Sequence, residues 1–254
     1  MSRTLIVAPA WIGDMVMAQS LVAALKAQDP DSVIDLIAPP WTAPLGERMP
    51  GVRQSLVSEQ AHGKLNLMER WRLGRSLKGR YDLALVLPRS LKSALIPLAA
   101  GIPQRRGYVG EFRYGVLTDP RNLDKTKLPR TVDQFVALAD PAAEADPAPP
   151  MLTADKGAGE ALADRLGAAR ARPILALCPG AEYGPAKQWP AGHFAELGRM
   201  HAAKGETVWI FGSPKEQGLC ERLAQAIGPS CVSFAGRTKP VSYTHLTLPT
   251  SDLV

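Results

Sequence analysis

Residues 8–21, APAWIGDMVMAQSL, carry the chain from an apolar run through a Pro/Gly turn into the start of a helix, and the turn delivers one carboxylate, Asp14. A second passage of the same design, residues 178–190, CPGAEYGPAKQWP, delivers an ammonium, Lys187. Strand, tight turn and helix make up the unit from which doubly wound α/β sheets are built. In such sheets ligands gather at the carboxyl ends of the strands. Two corners of this kind, one in each half, imply a cleft with a base on one wall and an anion-binding group on the other.

Around these corners strands and helices alternate. Thr4–Ala8 reads as a strand, 14–28 as a helix, and Val33–Ala38, Gln54–Val57 and Tyr81–Leu87 as further strands. YDLALVL at 81–87 is apolar on both faces, the pattern of a strand covered by helices on either side. Asp140–Pro150, DPAAEADPAPP, is the clearest linker, because its prolines disfavour both helix and strand. A helix over 153–169 then opens a second series: strand 174–178, helix 189–203, strand 206–211, helix 214–227 and strand 231–234. Gly205 falls where a helix ends and Ser213-Pro214 where one begins. The expected fold is α/β, with two Rossmann-type doubly wound parallel-sheet domains over 1–150 and 151–238. From Lys239 onward KPVSYTHLTLPTSDLV continues no βαβ rhythm. Either it is an irregular C-terminus or, as we expect, a non-native tail over 239–254 that leaves the second domain truncated.

Composition narrows the function. The 254 residues are 46% apolar and 21% charged, enough for a sizeable core. The net charge of +6 points to anionic partners. Only 6% of residues are aromatic, with no Arg/aromatic interleaving of the kind that stacks bases, so no nucleic-acid partner is expected. Cys178, Cys220 and Cys231 are scattered and odd in number, which argues against a disulfide framework or a zinc site and fits a reducing, cytoplasmic setting. The four histidines have no ligand spacing, and no metal or cofactor is expected. Apolar runs are broken by charge or proline before they reach membrane-spanning length.

Two readings of Asp14 are open: a helix N-cap worth about 1 kcal/mol, or a group aimed at a ligand beyond the strand end. No GxGxxG accompanies it, which disfavours an NAD-dependent oxidoreductase. Lys187 lies between a strand and a helix start, with Gly180 and Gly184 allowing close backbone approach. Glycines, free helix N–H groups and a lysine form the usual recipe for phosphate, although a loop lysine is also an ordinary surface residue.

Residues 9–21, 105–117 (RRGYVGEFRYGVL) and 179–190 together resemble the family-9 glycosyltransferases, and within them the heptosyltransferases that add the second inner-core heptose of lipopolysaccharide. The resemblance covers residues 1 to about 237. It implies a GT-B architecture and transfer of L-glycero-D-manno-heptose from ADP-heptose, with inversion, to an anionic heptosyl-Kdo2-lipid A acceptor at the cytoplasmic face of the inner membrane. It implies Asp14 as general base and Lys187, Gly180 and Gly184 as the donor phosphate site. Gly212 and Ser213 are expected at the donor nucleotide, and Arg105, Arg106 and Arg113 at the acceptor's acidic sugars. Family members continue into a DSGLMH-like segment that grips the donor diphosphate. Its absence from this chain leaves open a non-catalytic nucleotide-sugar-binding fragment. A transferase for the first heptose is the other alternative, disfavoured by the GAEYGPAK form of the second corner.

One further cluster stands out. Lys64, Arg70, Arg72, Arg75, Lys78 and Arg80 surround one expected helix, with Leu67, Trp71 and Gly74 as its apolar stripe. It reads either as a surface for anionic lipid headgroups or acceptor anions, or as a solvated helix face.

Overall fold

The computed structural model describes residues 2–58, 66–139, 147–168, 173–181 and 185–238. The chain divides into two compact units, Met1–Thr153 and Ala154–Val254.

The first unit runs β1 (Arg3–Val7), α1 (Ile12–Gln28), β2 (Val33–Ala38), α2 (Ala43–Gly46), β3 (Gln54–Val57), α3 (Leu67–Ser76), β4 (Leu83–Val86), α4 (Leu91–Ala99), β5 (Gln104–Tyr108), β6 (Asp119–Arg121) and α5 (Thr131–Val136). Its six strands are all parallel, in the order β3-β2-β1-β4-β5-β6. The order reverses between β1 and β4, so the connections after these two strands leave the sheet on opposite faces and open a crevice at their carboxyl ends. The central strands need apolar residues on both faces, and Leu5, Ile6, Ile34, Leu36, Ala84 and Leu85 are all fully buried.

Helices α3 and α4 pack together on one face of this sheet. A Cβ at Gly74 would lie 2.5 Å from both the Ile96 carbonyl oxygen and the Ala99 Cβ, so only glycine lets the two backbones come this close. That contact sets the rotation of α3 and overturns the expected stripe. Arg70, one turn before Gly74, is carried inward and donates to the Lys92 carbonyl at 3.1 Å. Leu67 and Trp71 are left in solvent. Lys64 lies outside the described residues.

One carboxylate is buried within the sheet, with its cation at the surface. Asp35 on β2 is inaccessible and accepts from Arg53 Nε at 2.9 Å, Gln54 Nε2 at 2.7 Å and the Tyr81 hydroxyl at 2.6 Å. Burial pushes the Asp35 carboxyl upward, but the hydrogen bonds from Arg53, Tyr81 and Gln54 outweigh it and hold the group below the usual range. The ionised form is therefore the one that stabilises the fold. Its contribution is present above the unfolded value of about 3.9 and is lost as pH falls through the lower folded value. Asp35→Asn costs about 1–3 kcal/mol at pH 7. In thermal melts between pH 7 and pH 3 its deficit against the parent shrinks only below about pH 4; a deficit constant across that range removes the carboxylate's charge from the account.

The second unit runs α6 (Lys156–Arg165), β7 (Ile174–Leu177), α7 (Ala191–Ala203), β8 (Thr207–Ile210), α8 (Gln217–Ile227) and β9 (Cys231–Ser233), with 3-10 turns at Pro185–Lys187 and Pro214–Glu216. Its strands form a parallel sheet, β7-β8-β9. Val208 and Ile210 pack under Leu223 and Ile227 on one face, and Trp209, Phe211 and Phe234 form an aromatic cluster on the other. Helix α6 begins later than expected, where the Asp155 carboxylate accepts from the Ala158 N–H at 3.1 Å. Residues 140–146 of the expected linker and all of 239–254 lie outside the described residues. Among the described residues no helix is long and apolar enough to cross a membrane.

Candidate functional site

The crevice predicted by strand order is occupied by a pocket of about 380 Å³ in the first unit. Its walls come from the residues that follow β1 (Ala8–Trp11), β2 (Pro39, Trp41) and β4 (Leu87–Ser90), with Phe135 of α5 and Ile96 of α4. The walls are fixed by local bonds: the Trp41 indole N–H donates to the Ala10 carbonyl at 2.7 Å, tying the β1 and β2 connections together.

Asp14 lines this pocket and is the one carboxylate among the described residues that do so. It does not cap α1. The cap position is Trp11, with extended backbone, and Asp14 stands in the first helical turn. No described residue donates a hydrogen bond to its carboxylate, and partial burial pushes its pKa above the ordinary aspartate value. A half-shielded carboxylate with raised proton affinity is the form a general base takes.

Of the cations that line the same pocket, Arg70 belongs to the cluster singled out in sequence, whereas Arg89 and Lys92 were missed. Arg89, Lys92 and Arg70 all line the pocket. Arg89 is exposed and Lys92 half-buried, while Arg70 is buried beneath them. The sequence did carry a signal: PRSLK, residues 88–92, directly follows the doubly apolar β4, at the same sheet edge as Asp14.

The three arginines expected at the acceptor instead hold this architecture in place, and none lines the pocket. Arg105 donates to the carbonyls of Val116 and Ile102, each at 2.6 Å. Arg106 pairs with Asp119 at 2.6 Å and donates to the Leu138 carbonyl. Arg113 is 1% exposed, and its guanidinium bonds the carbonyls of Tyr108, Pro88 (2.7 Å) and Ser90 (3.3 Å) and the Ser93 hydroxyl (3.3 Å). Burial pulls its pKa down to about 10, which still leaves it charged at neutral pH. Arg113 thus clamps the loop that presents Arg89 and Lys92.

In the second unit the strand ends converge on a residue not foreseen, Glu216. Its carboxylate lies over Gly180, where a Cβ would overlap it, and its Cβ is 3.3 Å from the Cβ position at Gly212. The Ser213 N–H donates to Glu216 at 2.6 Å. The spacing Ser213-x-x-Glu216 is that of a capping box, the signal that could have found it. The structure therefore brings Gly180, Gly212 and Ser213 together around one carboxylate. Lys187 is exposed at the end of the 3-10 turn that leads into α7. Gly184 lies outside the described residues. No cluster of His, Cys, Asp and Glu suited to a metal ion occurs among the described residues.

Two successive α/β units, each built on a parallel sheet, have the plan of GT-B glycosyltransferases. The chain belongs to glycosyltransferase family 9, the heptosyltransferases, whose family model matches residues 70–246. Lipopolysaccharide heptosyltransferase 2 of Salmonella typhimurium is 42% identical over 250 residues, covering 93% of this chain and 72% of the relative. Lipooligosaccharide heptosyltransferase 2 of Haemophilus ducreyi is 43% identical over 251 residues, with the same coverage of 93% and 72%. The solved structure of E. coli ADP-heptose LPS heptosyltransferase II matches with a TM-score of 0.87 at 39% identity, over 97% of this chain and 76% of that one. A family-9 glycosyl transferase from Veillonella parvula, 15% identical, shares the fold at a TM-score of 0.84 over 96% of this chain and 72% of its own.

Proposed function

We propose that this chain transfers L-glycero-D-manno-heptose from ADP-heptose to the heptosylated inner core of lipopolysaccharide, with inversion at the anomeric carbon. The observation that carries the reading is the pocket at the β1/β4 switch point, lined by Asp14 together with Arg70, Arg89 and Lys92. In this reading an acceptor hydroxyl gives its proton to the Asp14 carboxylate while its oxygen attacks the anomeric carbon. The carbon–oxygen bond to ADP breaks on the opposite side, and ADP leaves with the bonding pair. The three cations hold the acceptor's carboxylates and phosphates, arginine by its two-pronged fork and lysine as a point charge. Lys187 and the N–H groups opening α7 meet the charge gathering on ADP. The Glu216 carboxylate is the acceptor a ribose diol requires. A nucleotide leaving group needs its charge neutralised rather than a proton, so a single carboxylate suffices. The acceptor is lipid-linked, so in this reading the enzyme works at a membrane surface, the cytoplasmic face of the inner membrane.

The test is a transfer assay with ADP-heptose and heptosyl-Kdo2-lipid A, read by the mass gain of one heptose. It is run on this chain and on the chain extended by the segment its relatives have beyond the matched region. Absence of transfer by both discards the reading. Calorimetry with ADP tests the donor half separately: Lys187→Met weakens ADP by about tenfold or more, the value of a lost charge-assisted bond. Unchanged affinity returns Lys187 to the ordinary surface.

A further inference from the structure

Most of the exposed large apolar side chains among the first unit's described residues are grouped. Trp11, Val57, Leu67, Met68, Leu91 and Phe112 lie in segments that follow the carboxyl ends of β1, β3, β4 and β5, the sheet edge that carries the pocket, and Met151 is the exception. Scattered surface hydrophobics need no explanation, but a one-sided group does.

Helix α3 gives the group its shape. Arg70 and Gly74 face inward, so positions 68, 71, 72 and 75 share the outward face. There Met68 is 77% and Trp71 49% exposed, and Leu67, the first residue of the helix, is 54% exposed beside them. Arg72 and Arg75 are also exposed, and Glu69 is the one acid on that stretch, bonded by Asn66 at 2.9 Å. Trp and Met interleaved with arginine on one helical face is the make-up of a surface that lies in a bilayer interface.

A second observation adds to it. Leu91, the first residue of α4, receives the Glu111 carboxylate on its N–H at 2.8 Å. Glu111 and Phe112 are consecutive non-glycine residues in the left-handed region, with φ of 44° and 52°. That backbone is costly, yet it holds the Phe112 ring 92% exposed. Through Leu91, Lys92 and the Arg70–Lys92 bond, this tip borders the same rim as α3.

We propose that the outward face of α3, together with the Phe112 tip, docks on the headgroup layer of an anionic phospholipid bilayer and holds the pocket mouth at the surface where a lipid-linked acceptor emerges. The inference deepens the function proposed above and rests on its lipid-linked acceptor. Charge complementarity selects the occupant: two arginines among exposed apolar side chains fit anionic headgroups, where each basic residue near the surface contributes about fivefold in binding.

Flotation of the full chain with vesicles tests it, using phosphatidylglycerol/phosphatidylethanolamine 30:70 against phosphatidylcholine alone. The parent floats with the anionic vesicles and stays down with phosphatidylcholine, and 0.5 M salt weakens the binding. Arg72→Gln/Arg75→Gln lowers anionic-vesicle binding by roughly twentyfold. Met68→Ser/Trp71→Ser/Phe112→Ser lowers it by about tenfold or more through lost apolar contact. Both variants keep the parent's thermal midpoint and ADP affinity. Parent protein that does not float, or variants that float like the parent, overturns the proposal. So does a concentration-dependent dimer abolished by the triple serine variant, which would make the face a contact between two copies. Transfer separates this from the functional reading. If that reading holds, the serine variant loses transfer to vesicle-embedded acceptor but not to a deacylated, water-soluble one. If neither acceptor is used by the parent, the functional reading fails while the vesicle result still decides the docking face.

Discussion

Asp14→Asn lowers heptose transfer by about 10²–10⁴-fold, the range of a lost general base, while ADP affinity and the thermal midpoint stay near those of the parent. Asparagine keeps the size of the side chain and its place in the first turn of α1. Since Trp11 rather than Asp14 occupies the cap, the substitution removes no helix-capping bond. The pH profile supplies an independent reading. In the proposed role Asp14 works as a carboxylate, so activity is expected to fall as pH drops through its pKa. Partial burial raises that pKa, and the acid limb of kcat/KM therefore sits above the position an ordinary aspartate would give. Asp14→Asn retains a low rate without that limb. Near-parental turnover in the variant, or an unchanged acid limb, assigns the proton to another group.

Arg113→Met destabilises the first unit by about 3–5 kcal/mol, from several buried acceptors that each lose their donor at about 1–3 kcal/mol. Its side chain is of similar length, but it leaves the Tyr108, Pro88 and Ser90 carbonyls without their donor, and unmet buried acceptors are the expensive part of such a loss. For a unit of this size the midpoint falls by roughly 6–15 °C. Arg113→Lys recovers part of the stability, because one ammonium reaches fewer of these oxygens than the guanidinium fork. The effect on transfer distinguishes a clamp from a ligand-binding group. Measured well below its midpoint, Arg113→Lys raises KM for the acceptor more than it lowers kcat, since Arg89 and Lys92 lose their fixed loop while Asp14 keeps its place. A midpoint within 2 °C of the parent in Arg113→Met defeats the clamp.

Most plainly legible in sequence were the strands whose two faces are apolar, though β3, QSLV, was also expected at Gln54–Val57 and lies there. LIV in β1, VIDLIA in β2 and LALV in β4 announce themselves, and their observed ends lie within two residues of the expected ones. Strand β5 was passed over because QRRGY looks like a surface segment. Its arginines are instead consumed by Asp119 and by backbone carbonyls, pairings that sequence spacing does not display. Strand β6, DPR, contains proline and survives because it lies at the sheet edge. Helix α4 was hidden by Pro97 in its interior and by the apolar run that precedes it.

The site divides in the same way. Asp14 and Lys187 stand out in sequence because each follows a strand-and-turn corner, and both remain proposals for the site. Arg89, Lys92 and Glu216 carry only faint signals, PRSLK after β4 and the Ser213-x-x-Glu216 spacing, because their meaning depends on which strands are neighbours. Arg113 was singled out for its charge and assigned outward, whereas the structure turns that charge in toward carbonyls 5 to 25 residues away in sequence.

The contact at Gly74 has a mechanical result. With backbone against backbone, no compressible layer separates α3 from α4, and interiors packed this tightly shift as blocks rather than deform. The two helices then move as one piece, so the backbone spacing between Arg70 and Lys92 is preset. On the proposed reading, the crevice gauges the distance between an incoming ligand's negative groups, as calipers would, rather than moulding itself around them.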